Sequence, residues 1–464
     1  MIKILKYGEI PIEKILAREI PQESVAGAVA EIIAAVRRDG DKALFDYCAR
    51  FDGAVLDTLE VTAAEMDAAL DSVGQDFLAL LERAAKNIRA FHEKQLRPGF
   101  VLNEQPGVVL GQKIIPIEKV GLTVPGGAAP LSSTVLMDAI PARIAGCREL
   151  IMLTPAGPDG RIDPSVLAAA RVAGVDRIFK LGGAQGIAAL AYGTESVPRV
   201  DKIVGPGGAF VSEAKRQVFG VVSIDMIAGP SERLVVADGH GDPRHIAADL
   251  LSQAEHDKMA AAVLATDSPE LAERVRREIE AQLPALPREE IARASIENNG
   301  KIIVTPDIAT AVEIANAIAP EHLELCLDEP FAWLDRVRNA GSVFLGKNCP
   351  EAVGDYFAGL NHTLPTSGTA RFSSPLSVDD FVKKTQFAYY APDALRGAAA
   401  DIARFARTEK LEGHARSVLI RPDARTAAAV LYPPSADAPS KGDQSPLGDP
   451  LRPPAGLNNI GEKI

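Results

Sequence analysis

The chain has 464 residues, 47% of them hydrophobic and only 5% aromatic, so it has room for more than one domain with an aliphatic core. Its formal net charge of −12, without any block of basic residues, argues against a nucleic-acid or anionic-membrane partner. Four cysteines without CxxC spacing indicate reduced thiols, and the absence of a signal segment or a long apolar stretch predicts a cytoplasmic protein without a membrane span.

Helical patterns dominate the N-terminal part of the chain. Residues 1–21 are expected to form a short arm, and apolar residues then recur at helical spacing over 23–47 and 63–96. Residues 107–124 are rich in β-branched side chains and predict one or two strands. A Pro-Gly-Gly turn follows at 125–127.

Helices and strands alternate through the middle of the chain. Helices are predicted at 133–146, 164–174, 184–193, 209–219, 243–256, 269–283 and 308–318, and strands at 149–155, 177–183, 202–204, 231–238, 261–267, 301–306, 322–328 and 342–346. Such alternation, with nearly continuous aliphatic strands, is typical of parallel sheets covered by helices. The stretch is too long for one open sheet of ordinary size, so we expect two α/β units.

The C-terminal part has a different pattern. Residues 378–388 and 392–410 predict helices, and 415–422 predicts a last strand. Residues 432–464 are rich in Pro, Gly, Ser and Asp, and they lack the apolar side chains that would offset the entropy of ordering. We expect them to be a disordered tail.

Polar residues far apart in the sequence suggest a metal site. Gln253 and His256 are three residues apart in a predicted helix, a spacing that places both side chains on one face. If Asp355 and His414 converge on them, two nitrogens and two oxygens surround a divalent ion. Taken alone, this pair is more typical of ordinary polar residues near a helix end.

Two other segments are candidates for acid–base chemistry. Glu321 and His322 lie where a helix gives way to a strand, and neighbouring strand residues point to opposite faces. They can serve one site only if the backbone there is a turn. The segment 355–381, which includes His362, has little periodicity but keeps aromatic and aliphatic residues, which favours an ordered functional loop.

Seven segments together resemble the histidinol dehydrogenase family, in the order in which that family has them. They are VGLTVPGGAAPLSSTVLM (120–137), LGGAQGIAALAYGT (181–194), IDMIAGPSE (224–232), AADLLSQAEHD (247–257), APEHLEL (319–325), NHTLPTSGTARFSSPLSVDDF (361–381) and EKLEGHARSV (409–418). The resemblance extends from about residue 20 to 420.

The resemblance implies oxidation of L-histidinol to L-histidine through the aldehyde with two NAD⁺ and one Zn²⁺ per subunit, the last step of histidine biosynthesis. By motif, Glu321 and His322 resemble the catalytic water-activating residue and general base. The implied zinc ligands are Gln253, His256, Asp355 and, from the partner of a homodimer, His414. The implied substrate contacts are Ser231, Gln253, His256, His322, Asp355, His362, Glu409 and His414, and the implied cofactor contacts are Thr123, Gln185 and Gly208.

The chain departs from the family pattern at a few positions. Thr123 stands where the family usually has Tyr, and Gly208 stands where it usually has Asn, both on the dinucleotide side. There are two milder departures from the family pattern: Leu360, directly before Asn361, and Arg233, directly after Ser231-Glu232.

The resemblance also implies a domain layout. We expect two Rossmann-like parallel-sheet α/β units with small N- and C-terminal elements in an intertwined homodimer whose subunits share the active site. The expected divisions are an arm at 1–21, a first α/β domain at 22–124 and 232–376, a second at 125–231, a C-terminal dimerisation element at 377–431 and a disordered tail at 432–464.

Three alternative functions are compatible with some of these motifs. A family member that oxidises a different polar alcohol would keep the metal set and His322 but lose the groups that hold imidazole and amine, and Ser231, His362 and Glu409 are all present. A zinc hydrolase would leave the glycine-rich turns of a dinucleotide enzyme unexplained. A scaffold with a structural zinc would be expected to use cysteines, and these motifs contain none.

Overall fold

A computed structural model describes residues 1–17, 25–126 and 130–421 of the chain. The predicted tail at 432–464 and the end of the predicted N-terminal arm lie outside these residues. These residues divide into two compact units: the first comprises residues 1–17, 25–99, 113–126 and 130–385, and the second comprises residues 100–112 and 386–421. The boundaries of the predicted domains stay a prediction.

The described strands are numbered in chain order. They are β1 (Lys3–Lys6), β2 (Phe100–Leu102), β3 (Val108–Pro116), β4 (Lys119–Thr123), β5 (Glu149–Thr154), β6 (Arg177–Lys180), β7 (Lys202–Val204), β8 (Ser223–Ile224), β9 (Glu232–Ala237), β10 (Ala261–Thr266), β11 (Lys301–Val304), β12 (His322–Cys326), β13 (Ser342–Leu345) and β14 (Val382–Tyr390).

The described α-helices are numbered in the same way. They are α1 (Ile12–Leu16), α2 (Ala26–Asp39), α3 (Asp41–Tyr47), α4 (Ala63–Ser72), α5 (Gln75–His92), α6 (Ser132–Ala145), α7 (Pro164–Ala173), α8 (Gly183–Tyr192), α9 (Ala209–Val218), α10 (Pro243–Ala254), α11 (Pro269–Gln282), α12 (Glu289–Asn298), α13 (Ile308–Ile318), α14 (Phe331–Leu334), α15 (Glu351–Val353), α16 (Pro392–Thr408) and α17 (Glu412–Leu419). None of them has the length and apolar character that crossing a membrane requires.

Two parallel sheets form the core of the first unit, which confirms the predicted α/β class. One sheet has six strands in the order β1-β11-β10-β9-β12-β13, and the other has five in the order β6-β5-β4-β7-β8. Their central strands are buried because both faces are covered: every residue of β9 and β10 is buried. This explains why these strands read as continuous aliphatic runs in the sequence.

Helices cover both faces of each sheet. On the six-stranded sheet, side chains of α10, α11 and α12 pack on one face and those of α13 on the other. On the five-stranded sheet, α6 and α7 cover one face, and α2, α8 and α9 cover the other. Because successive side chains of a strand point to opposite faces of the sheet, each helix layer packs against alternate residues of β9 and β12.

Two predicted elements near the C-terminus are wrong. Residues 378–388 were expected to be helical, but most of this segment belongs to β14, which joins β3 and β2 in a three-stranded sheet. Thr, Phe and Tyr in β14 suit a strand, and pairing with β3 decides the outcome. The expected strand at 415–422 is instead covered largely by α17.

Candidate active site

A cavity of about 200 Å³ in the first unit collects most of the predicted site residues. Its walls include Ser231 and His322, which lie where β9 and β12 begin, and Gly205 and Pro206, which follow the end of β7. The start of α6, after β4, adds Thr134. The six-stranded sheet therefore contributes its amino edge, and the five-stranded sheet contributes its carboxyl edge.

The backbone before β12 has the turn that allows Glu321 and His322 to serve one site. Helix α13 ends at Ala319 in the left-handed region, with φ 55°. Glu321 then lies in a bend, and His322 is the first residue of β12. The Glu321 carbonyl accepts a hydrogen bond from Ser342 N at 2.9 Å, which ties the turn to β13. Both side chains line the cavity.

The His322 imidazole is buried and held at one nitrogen. Its Nδ1 lies 3.2 Å from the carbonyl oxygen of Glu232, so this nitrogen carries the proton as a donor. Its Nε2 has no hydrogen-bond partner among the described residues and lies 3.7 Å from Glu351 Oε1 and 3.8 Å from Asp355 Oδ1. Burial lowers the pKa of His322 to about 4, so the ring is neutral and Nε2 can accept a proton.

The Glu321 carboxylate is oriented by its neighbours across the sheet. Its Oε2 accepts hydrogen bonds from the Ser231 hydroxyl and from the Glu232 backbone N, the latter at 2.9 Å. The same oxygen lies 3.6 Å from His322 Nδ1. Ser231, expected only as a substrate contact, therefore also fixes the direction of Glu321.

A second carboxylate accompanies Asp355 in the cavity. Asp355 lies in a π-helical turn, Gly354–Ala358, which directly follows α15, and Glu351 is the first residue of α15. Ligand atoms of His322, Glu351 and Asp355 all lie within 4.8 Å of one another. Burial, and then the nearby Glu351 charge, raise the pKa of Asp355 to about 8. Burial also favours protonation of Glu351, but its electrostatic interactions with the nearby His322 ring and the Arg233 guanidinium outweigh it and lower the pKa of Glu351 below its usual value.

A close backbone contact holds the Asp355 turn in place. Gly359 ends the turn with φ 102°, and a Cβ there would lie 2.5 Å from the Asn87 carbonyl oxygen on α5. The Asn87 side chain donates to the Phe357 carbonyl at 2.8 Å. Only glycine tolerates both the left-handed backbone and this approach.

Gln253 and His256 lie at the end of α10. Helix α10 stops at Ala254, so His256 occupies the following turn rather than the predicted helix, with its backbone N 3.2 Å from the Gln253 carbonyl oxygen. His256 lines the cavity. Gln253 is fully buried, and neither its amide oxygen nor its amide nitrogen has a partner among the described residues. An unpartnered buried amide is costly, so these residues fit an absent ligand such as a divalent ion.

His362 lies in an ordered part of the 355–381 segment. Its Nε2 is 3.1 Å from the Thr134 hydroxyl, and its Nδ1 is 3.2 Å from the Asp355 carbonyl oxygen. The next residue, Thr363, donates to the Asp138 carboxylate at 2.8 Å. These bonds fix the segment against α6 and bring His362 to the cavity wall.

The last two predicted site residues belong to the second unit. Glu409 follows α16, His414 lies in α17, and both side chains are exposed. The structure thus collects Ser231, His256, Glu321, His322, Asp355 and His362 around one cavity. Glu351 lines the same cavity and was not anticipated from the sequence; its buried neighbours come from distant segments, and no local pattern marks it.

A second cavity, of about 200 Å³, lies at the carboxyl edge of the five-stranded sheet. Thr123 and Gly208 line it, together with Gly182 and Gly183 at the start of α8. Gln185 is buried in the first turn of α8. The carboxyl edge of a parallel sheet, with helix N-termini facing it, is the usual place for a dinucleotide.

The loop between the two cavities is fixed by hydrogen bonds. Thr123 donates its hydroxyl to the carbonyl oxygens of Val204 and Pro206, at 3.2 and 3.3 Å. Lys215 forms an ion pair with Asp225 at 2.5 Å and donates to the Gly205 carbonyl at 2.7 Å. Gly205 has φ 111°, and a Cβ there would lie 2.3 Å from the Thr123 carbonyl oxygen. The backbone of this loop is therefore closely defined.

Comparisons with known proteins point to one family. The family model for histidinol dehydrogenase matches residues 17–422. The chain is similar to histidinol dehydrogenase from Syntrophotalea carbinolica, with 55% identity over 91% of this chain and 99% of that protein. It is similar to the Clostridium acetobutylicum enzyme, with 48% identity over the same shares of the two chains. The crystal structure of histidinol dehydrogenase from Elizabethkingia anophelis superposes with a TM-score of 0.86 at 36% identity, covering 90% of this chain and 98% of that one. The chain belongs to the histidinol dehydrogenase family.

Proposed function

We propose that this enzyme oxidises L-histidinol to L-histidine through the aldehyde, reducing two NAD⁺, as the last step of histidine biosynthesis. The observation that carries the proposal is the His322 imidazole, held at Nδ1 by a backbone carbonyl and presenting an unpartnered Nε2 to a cavity with two carboxylates. Histidinol offers that cavity a hydroxyl to deprotonate and two nitrogen groups to bind.

His322 acts as the general base. In the first oxidation Nε2 takes the hydroxyl proton of histidinol while a hydride leaves the same carbon, which gives the aldehyde, NADH and one proton. A neutral imidazole is needed for this step, and burial keeps the ring neutral at physiological pH. The nearby carboxylate of Glu351, 3.7 Å from Nε2, stabilises the imidazolium that forms.

Glu321 acts in the second oxidation. Its carboxylate, fixed by Ser231 and the Glu232 backbone, takes a proton from water as the water adds to the aldehyde carbon. The His322 imidazolium returns its proton to the carbonyl oxygen, and the resulting gem-diol gives a hydride to the second NAD⁺ and a hydroxyl proton to His322, which yields the carboxylic acid. The adjacent residues Glu321 and His322, where β12 begins, therefore have different roles. Glu321 activates the water that hydrates the aldehyde, and His322 accepts the hydroxyl protons.

Gln253, His256 and Asp355 would hold a zinc ion, with His414 of a second subunit as the fourth ligand. When bound, the ion supplies a Lewis-acidic centre that binds and orients the nitrogen groups of the substrate. Two lines of support come from the residues themselves. The buried Gln253 amide has no other partner among the described residues, and the cavity places two carboxylates beside neutral imidazoles.

NAD⁺ would lie along the carboxyl edge of the five-stranded sheet, and when bound it accepts the hydride. Thr123, Gln185 and Gly208 are the proposed contacts. Thr123 and Gly208 line the cavity there, and Gln185 lies in the helix turn beside it. Pro206 and Gly207 line both cavities, so the proposed cofactor site and the substrate cavity adjoin each other at this loop.

We propose that the active enzyme is a homodimer in which the second unit of each subunit completes the partner's site. The second unit exposes large apolar side chains that a monomer would leave in water. They include Phe100, Val101, Tyr389 and Phe405, which are 50%, 62%, 58% and 71% exposed. A second copy of the chain bound at this surface would bury these side chains, and Glu409 and His414 would then contribute to the active site of the partner subunit.

The test is direct. The full chain, loaded with Zn²⁺, is given L-histidinol and NAD⁺, and NADH absorbance and histidine formation are followed. The proposal expects two NADH for each histidine produced. Folded, zinc-loaded protein that produces no NADH would contradict the proposal, and NADH without histidine would restrict the activity to alcohol oxidation.

A further inference from the structure

Arg233 is a buried arginine beside the proposed catalytic base. It is 2% exposed and lies in β9, where it is the register partner of His322 on β12. Registered neighbours in a parallel sheet point to the same face, and here that face is the one covered by α10. An arginine so deeply buried requires charged or polar partners.

The Arg233 guanidinium bridges two carboxylates. Its Nη2 forms an ion pair with Glu351 Oε2. Its Nη1 donates to the Asp249 carbonyl oxygen and to the Ser252 hydroxyl, the latter at 2.9 Å, and lies 3.8 Å from Asp249 Oδ1. The contacts with α10 hold Nη1 in place, so Nη2 has a fixed direction towards Glu351.

Glu351 connects this anchor to the cavity. Its side chain is 4% exposed, with Oε2 on Arg233 and Oε1 3.7 Å from His322 Nε2. The residue lines the cavity beside Asp355. A carboxylate that is so poorly hydrated keeps its charge and direction only through its partners.

We propose that Arg233 is a positioning residue that holds Glu351 so that one carboxylate oxygen faces the cationic nitrogen groups of the substrate. This inference rests on the proposed function, because it takes histidinol as the ligand. Glu351 makes the contact, and Arg233 acts through Glu351.

A double-mutant cycle tests the inference, with L-histidinol binding measured by calorimetry without NAD⁺ and KM and kcat measured with it. Arg233→Met and Glu351→Gln should each weaken histidinol binding about tenfold or more, the range expected for a charge-assisted contact. The double variant should bind no more weakly than the worse single variant, because both changes remove one contact. Arg233→Lys should recover most of the affinity, and the KM for NAD⁺ should stay at the wild-type value in all four proteins.

Folding and metal content must be separated from binding. Thermal unfolding and zinc content are measured for each variant, and Arg233→Met should unfold at a lower temperature than the double variant, since it leaves a buried carboxylate unpaired. Arg177→Met is the matched control, because Arg177 pairs with Glu60 at 2.7 and 2.8 Å among residues outside the cavity. This control should lose stability without a change in histidinol affinity.

The outcomes distinguish the two proposals. A folded, zinc-loaded Arg233→Met protein with wild-type histidinol affinity overturns the role of Arg233, as do additive losses in the cycle. Wild-type protein that binds histidinol but makes no NADH overturns the proposed function while the binding cycle still decides on Arg233. Wild-type protein that binds no histidinol overturns both.

Discussion

The Nδ1 atom of His322 lies 3.2 Å from the carbonyl oxygen of Glu232, on the adjacent parallel strand. The bond joins the first residues of two neighbouring strands, so the imidazole is oriented by the sheet itself. A carbonyl accepts and cannot donate, and this fixes the proton on Nδ1 and leaves Nε2 as the base.

Replacement of His322 by alanine should abolish turnover while leaving zinc bound. Loss of a general base costs roughly 10²–10⁴-fold in kcat. Steady-state NADH formation and zinc content would be measured on the same preparation. His240→Ala is a suitable control, since His240 is exposed and paired with Asp328 on the surface. Loss of zinc together with activity would point instead to a metal-binding role for His322.

Replacement of Glu321 by glutamine should separate the two oxidations. Glutamine can still accept from Ser231 and the Glu232 backbone, but it cannot take a proton from water. With limiting histidinol and an aldehyde trap, the yield should fall from two NADH per histidinol towards one. The exposed Glu313→Gln, which loses only a surface pair with Arg338, should keep the yield at two. A yield of two from Glu321→Gln would contradict the assigned role.

Replacement of Gly208 by asparagine, the residue usual in the family, should strengthen NAD⁺ binding. Gly208 is the N-cap of α9 with φ −70°, and a Cβ there meets nothing within 4 Å. Asparagine is favoured at such a cap, so the fold should tolerate it and α9 should gain a few tenths of a kcal/mol. We expect a several-fold lower KM for NAD⁺ and an unchanged KM for histidinol.

Gly27→Asn serves as the control for Gly208→Asn. It introduces the same side chain into open space in the first turn of α2, outside both cavities. An NAD⁺ KM that rises or stays constant in Gly208→Asn would mean that position 208 does not contact the cofactor.

Asp138 should make stability depend on pH. It is fully buried, and burial raises its pKa to about 8, although Thr363 donates to it. In the unfolded chain its pKa is about 3.9, so between about pH 4 and pH 8 only the folded form holds the proton. The contribution of this carboxyl group to stability is thus greatest at low pH and decreases as the pH rises to about 8.

Asp138→Asn removes this titration. The difference in urea midpoint between wild type and Asp138→Asn should therefore shift in favour of the variant as the pH is raised from 5 to 8. Asp401→Asn, at an exposed position of α16, should give a difference that does not change with pH. A pH-independent difference for Asp138→Asn would mean that the buried carboxyl group is ionised in the folded protein.

Subunit complementation would test the shared site. Gln253→Ala and His414→Ala should each be inactive, because each removes one proposed zinc ligand. Mixed heterodimers should recover part of the activity, since one of the two sites in each dimer regains a complete ligand set. The measurement is NADH formation after verified subunit exchange. Persistent inactivity after exchange would count against a ligand donated by the partner.

Much of the fold could be predicted because the parallel sheets leave a strong signal in the sequence. Strands buried on both faces must be continuously aliphatic, and β9 to β13 were all located from that pattern. The errors are in β14 and α17, where the sequence has weak periodicity and pairing or packing decides the structure.

The residues of the candidate site also differ in whether the sequence predicts them. His322, Asp355 and His362 are predicted because their motifs match the family, and the structure collects them at one cavity. Glu351 and Arg233 were not assigned a role, because a buried ion pair between residues 118 positions apart has no local pattern. Their pairing follows only from the tertiary structure, which brings Glu351 at the start of α15 close to Arg233 of β9.

The six-stranded sheet contributes its amino edge to the candidate site, and the five-stranded sheet contributes its carboxyl edge. Substitutions and insertions at these two edges therefore differ in their structural cost. His322 begins β12, which is locked into a hydrogen-bonded ladder, and Glu321 directly precedes it, so an inserted residue there would shift an entire strand. The proposed dinucleotide contacts lie at or after the carboxyl ends of strands, where loops can lengthen or exchange residues at little structural cost. Preference for a different nicotinamide cofactor could therefore drift, or be engineered, without any change in the residues that handle the alcohol.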